Sequence, residues 1–249
     1  MNKTLQFIQL MKKSIVFYSL FFGLIGNPVF AQRLSWPLGD VSVHKLDQRV
    51  FTYHMYDTSG IKVGSMVTQL TVDDDQILFI DTSRFDNGSV YENARFVFVK
   101  NPIRVEKARI VMKTTRSELE YNFDMSIDSV KGNVLIGGDD RPVRIPAGYD
   151  ITRAELYAFL HALDFTKKFK HELKVFEPTS VRIADASIEF LGQVEIKTAN
   201  GVRNAYKLFL DGKEAIPSNV IYIDKESSHV LKYEVLTPTP LDIVLVNVN

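Results

Sequence analysis

From Val50 to Val248 the chain alternates apolar and polar residues over short runs, and nearly every run ends at a cluster of Asp, Asn, Gly, Ser or Pro. A period of two puts successive side chains on opposite faces of an extended backbone, so such runs predict strands with one dry and one wet face. The first half gives Val50 to Tyr56, Ile61 to Val72, Ile77 to Ile80, Tyr91 to Val99, Val105 to Lys113 and Leu119 to Ile127. The second half gives Glu172 to Phe176, Val181 to Phe190, Gly192 to Thr198, Val202 to Leu210, Val220 to Asp224, Val230 to Leu236 and Leu241 to Val248. The breaks at Asp57-Thr58-Ser59-Gly60, Asp73-Asp74-Asp75, Asp86-Asn87-Gly88, Asn200-Gly201 and Asp211-Gly212 suit the turns of consecutive antiparallel hairpins.

One segment departs from this period. Between Ile151 and Leu163, Leu156, Phe159, Leu160 and Leu163 recur at helical spacing, and Thr152 with Glu155 forms a capping box that satisfies orphan amides at a helix start. A sheet dry on one face must cover that face with another element. The expected fold is therefore mainly β: a curved antiparallel sheet or incomplete barrel with one helix covering its apolar face. A two-sheet sandwich with the helix at one end is the competing geometry.

The first thirty-one residues read as an export signal. Lys3, Lys12 and Lys13 make a basic start, Ser14 to Gly26 is apolar, and Val29-Phe30-Ala31 offers a cleavage site. Cleavage after Ala31 would leave a single β-rich domain over residues 32–249, periplasmic or secreted, with no stable membrane insertion; the alternative is an uncleaved segment retained as a membrane anchor. The chain has no cysteine, so neither a disulfide nor a cysteine-linked lipid is available, and apolar burial must supply the stability. The whole chain carries 30 basic and 30 acidic residues; removing the three signal lysines leaves 27 against 30. Nucleic acid is not an expected partner, since phosphate binding needs clustered Lys and Arg. Lys167, Lys168 and Lys170 form one dense basic group, read as a solvated face.

Residues able to carry chemistry are scattered. His44, His54, His161, His171 and His229 show no metal-ligand spacing, and Asp73-Asp74-Asp75 lacks the glycine and terminal glutamate of a calcium loop. Asp139-Asp140 follows Gly137-Gly138 as in a hairpin bend, and no nucleophile elbow or phosphate-binding loop is present. The sequence thus assigns no catalytic residue, metal ligand or cofactor. A pair of acids meeting only in the fold stays open. The apolar helix is the remaining candidate: Leu156, Tyr157, Phe159, Leu160 and Leu163 would line a ligand cavity between helix and sheet, or else fill a solid core. Trp36 reads as a staple for the N-terminal segment.

Several short stretches resemble one family. Ile61-Lys62-Val63-Gly64-Ser65, the Tyr149-Asp150 helix entry, Gly192-Gln193-Val194-Glu195 and the closing Ile221-Tyr222-Ile223-Asp224 and Val230-Leu231-Lys232-Tyr233-Glu234 resemble the DUF3108-type periplasmic proteins. That resemblance implies an incomplete barrel similar to lipoprotein carriers, with a helix over its apolar mouth, and it brings no catalytic residue set. The functional expectation is a non-enzymatic envelope protein that binds an apolar ligand, such as a lipid or acyl chain, or an envelope protein partner. An envelope hydrolase and a scaffold without ligand are the alternatives. An outer-membrane barrel is disfavoured by Arg104, Glu106, Lys107 and Arg109 within one candidate strand.

Overall fold

The alternating runs do form strands, and they join edge to edge. The computed structural model describes residues 33–248 apart from positions 43, 44, 47, 127, 147, 199, 200, 214 and 215; the segment read as an export signal, His44 and Asn200 therefore lie outside the described residues. The N-terminal pair is β1 (Arg33–Leu34) and β2 (Val41–Ser42). The first meander is β3 (Val50–Tyr56), β4 (Lys62–Val72), β5 (Gln76–Phe85), β6 (Val90–Lys100), β7 (Ile103–Thr114), β8 (Glu118–Met125), β9 (Ser129–Ile136) and β10 (Asp139–Pro146). A short β11 (Ile151–Thr152) leads into α1 (Arg153–Phe159) and a 3-10 turn over Leu160–Ala162. The second meander is β12 (Lys170–Glu177), β13 (Arg182–Thr198), β14 (Gly201–Asp211), β15 (Ser218–Asp224), β16 (Val230–Leu236) and β17 (Leu241–Val248).

β17 pairs with β3, so the two meanders fuse into one sheet of 15 strands among the described residues, ending at β10 and β11. Its pairs are antiparallel except β11 with β12. One continuous sheet replaces the competing sandwich. The sheet is strongly curled, because Phe123 of β8 meets Phe176 of β12 at 5.8 Å although the two strands are far apart in the pairing order. Its ends do not pair, so it stays an open, barrel-like form. The apolar face closes on α1, where Phe98 of β6 stands edge-on to Phe159 at 4.8 Å. The N-terminal segment adds Leu34, Trp36, Leu38 and Val41 to the same core. Trp36 packs edge-on against Phe159 at 6.0 Å, which holds that segment against the helix.

Several elements differ from the sequence expectation, β5 among them, which runs on to Phe85 past the expected end at Ile80. Residues 129–146, read only as a bend at Gly137-Gly138, form the hairpin β9–β10. Their alternation is diluted by Gly132, Asn133, Pro142 and a mostly exposed β10, an edge strand in which prolines are tolerated. Gly132 lies so close to β8 that a Cβ there would sit 1.8 Å from the Asn122 carbonyl oxygen. The two runs split at Leu191 are one strand, β13. A register shift between Phe190 and Gly192 absorbs Leu191 as an exposed bulge residue. The helix is shorter than the apolar spacing from Ile151 to Leu163, since its last turn tightens to 3-10 geometry.

Candidate functional site

The placement of α1 begins at β11. Asp150 accepts a hydrogen bond from the Lys174 amide through its carboxylate (2.7 Å) and returns one from its own amide to the Lys174 carbonyl (2.7 Å), docking the helix entry on β12. The capping box forms as the sequence implies: the Thr152 hydroxyl accepts from the Glu155 amide, and the Glu155 carboxylate accepts from the Thr152 amide. Glu155 is buried, and burial pushes its carboxyl up to about 7 against the opposing pull of the Thr152 amide and hydroxyl. The Trp36 indole lies close enough to favour the carboxylate, without a hydrogen bond of good geometry.

This entry sets Arg153, the first residue of α1, beside the end of β12. Its guanidinium donates to Glu177 at 3.3 Å and, one turn on, to the Tyr157 hydroxyl at 3.3 Å. Glu177 is nearly inaccessible and is further held by the Thr179 amide (3.3 Å) and hydroxyl (2.8 Å). Two more carboxylates come from the sheet. Asp81 pairs across β5–β6 with Ala94, and Ser83 with Glu92, so Asp81 and Glu92 are diagonal neighbours on one face. Asp81 accepts from the Ser83 hydroxyl at 3.1 Å. Burial first, and the Glu92 charge second, push Asp81 up to about 7. Glu92 is also raised, by burial and by Glu177, with Arg153 opposing.

These side chains share a cleft of about 230 Å³ with an apolar wall that includes Met55, Met66, Phe96, Ile110 and Ile243. A smaller void of about 30 Å³, room for little more than water, lies on the other side of Phe79 and Tyr157 and includes His161 and His229. Of the residues the sequence puts forward, Tyr157 lines both spaces. Leu156, Phe159, Leu160 and Leu163 line neither; each is at most 3% exposed and fills the core. Helical spacing selects the side of α1 that is buried deepest, whereas the cleft is reached by Arg153, Ala154 and Tyr157 on its flank.

Asp81, Glu92, Arg153 and Glu177 were not singled out by sequence. For the two sheet acids a signal exists: Ile77, Phe79, Asp81 and Ser83 run in one phase of β5, and Glu92, Ala94, Phe96 and Phe98 in one phase of β6. An acid in the apolar phase of a strand marks either strain or a polar site. The other sequence candidates sit elsewhere. The Asp73 and Asp74 carbonyls accept from Lys100, His54 is 3.4 Å from the Tyr56 hydroxyl, and Lys170 pairs with Glu189 at 3.5 Å. Among the described residues no three His, Asp or Glu side chains gather as a metal-holding group, and no helix is long and apolar enough to cross a membrane.

No family model and no curated protein matches this chain, so the DUF3108 resemblance is not established by them. Similarity appears at the level of fold. A crystal structure of a β-barrel-like protein of the domain of unknown function DUF1849, from Brucella abortus, superposes with a TM-score of 0.56 at 9% identity, covering 82% of this chain and 98% of that one. A candidate lipoprotein from Parabacteroides distasonis aligns over 82% of this chain and 96% of its own at 9% identity, but with a TM-score of 0.28, too low for a shared fold. The chain is thus similar in architecture to the DUF1849 β-barrel-like protein.

Proposed function

We propose that this chain is an exported envelope protein that binds an apolar ligand, a lipid or acyl chain, in the cleft between α1 and the curled sheet, and does not transform it. The observation that carries this reading is the apolar-walled cleft of about 230 Å³ beside an interior that α1 otherwise fills. Drug-sized ligands occupy roughly 300–1,000 Å³, so the cleft suits a short ligand or the end of a longer chain. The barrel-like architecture supports the reading, as does the signal-like start of the sequence, and kinship with the DUF3108-type periplasmic proteins belongs to the same proposal.

Each methylene buried in the cleft contributes about 0.8 kcal/mol, so two added methylenes tighten binding roughly tenfold until the space is full. Titrating the purified protein with straight-chain alcohols of increasing length tests this. A stepwise gain that then levels off is expected; affinity independent of length, or no binding, points to the scaffold alternative. A second reading has its own observation: Asp81 and Glu92 adjoin in the cleft, and an acid held up to about 7 suits a general acid. In an envelope hydrolase, added acyl esters would be cleaved and Asp81→Asn would abolish the cleavage. The binding reading expects their masses to be unchanged.

A further inference from the structure

The cleft's charges are unbalanced in a way that selects among apolar ligands. Asp81, Glu92 and Glu177 face it, with Arg153 as the cation lining it. Arg153 donates its hydrogen bonds to Glu177 and Tyr157, and it acts on Asp81 and Glu92 through its charge without bonding either. Asp81 has a single hydroxyl partner in Ser83, and Glu92, half-buried on the same wall, makes no hydrogen bond or ion pair among the described residues. A carboxylate withdrawn from water without a partner is costly, and a cation within reach removes much of that cost. The apolar wall formed by Met55, Met66, Ile110 and Ile243 is a separate feature, and it calls for an aliphatic body attached to the cation.

We infer that the cleft takes an amphipathic cation: an aliphatic ammonium whose charged head sits between Asp81 and Glu92 and whose chain lies along Met55, Met66, Ile110 and Ile243. This rests on the binding reading and specifies its ligand class. A carboxylate head would meet Asp81, Glu92 and Glu177 with Arg153 already engaged. An ammonium has three donors and can satisfy both sheet acids at once. The groups facing Asp81 and Glu92 are Arg153 and Tyr157 from α1, Glu177 from β12, Tyr53 from β3, Tyr121 from β8 and Tyr233 from β16. Burial raises Tyr53, Tyr121 and Tyr233, so these three stay neutral at working pH. The acids therefore set the pH dependence, and ammonium binding tightens from pH 5 to pH 8 as they lose protons.

The test is calorimetric titration of the purified protein with octylammonium, octanoate and octanol at pH 8. Octylammonium should bind at least tenfold tighter than the other two, and the preference should shrink at pH 5. Asp81→Asn with Glu92→Gln should remove the preference, octylammonium then binding no tighter than octanol to the same variant. Should octanoate or octanol equal octylammonium in the wild-type protein, the cation assignment fails and the apolar-ligand reading stands. Failure of all three probes overturns both. The wild-type comparison alone decides the matter if the double variant does not fold.

Discussion

Asp81 occupies a position that the alternation of β5 otherwise gives to Ile77 and Phe79, and its partial burial has a thermodynamic sign. A carboxyl raised from its ordinary value of 3.8 to about 7 binds its proton more tightly folded than unfolded. Its stabilising share is present below about pH 4 and is lost as pH rises through 7. Urea denaturation should therefore show Asp81→Asn gaining stability relative to wild type at pH 8 and little at pH 4; a loss at pH 8 would contradict the assignment. Phe159 is the opposite kind of residue, wholly buried against Phe98 and Trp36. Phe159→Ala should cost about 3–5 kcal/mol in the same assay, the range for emptying a packed aromatic site.

At the scale of elements, local chemistry and neighbouring strands share control. The Thr152 cap is fixed within the four positions from Thr152 to Glu155, and Thr152→Ala should cost about 1 kcal/mol by losing the hydroxyl acceptor at the start of α1. Gly132 depends on a neighbour instead: a methyl there collides with the β8 backbone at Asn122, so Gly132→Ala should cost about 1–3 kcal/mol and weaken amide protection along β8–β9 in hydrogen exchange. The same division explains which elements were legible. β3, β16 and β17 match their runs because alternation and turn residues agree. β9–β10 was not legible, because a mostly exposed edge hairpin has little apolar phase to display. Strand β13 read as two because a bulge inverts the phase at Leu191 while hydrogen bonding continues.

For the molecule as a whole, sequence implied a curved sheet around a helix, and the structure adds how it curls: β17 returns to β3, and Phe123 meets Phe176 across the core. Such contacts join residues more than fifty positions apart, which no local pattern encodes. The cleft was hidden for the same reason, since β5, β6, α1 and the end of β12 assemble its polar side only after the sheet has curled. α1 fills the core with Leu156, Phe159, Leu160 and Leu163, while its Arg153–Tyr157 flank leaves the cleft proposed to bind an apolar chain. Methyl NMR of the purified protein during titration with octylammonium tests this most directly. Shifts are expected at Met55, Met66, Ile110 and Ile243, with the Leu156, Leu160 and Leu163 methyls unmoved. Saturation without shifts in the cleft methyls, or shifts centred on the three leucines, would contradict it.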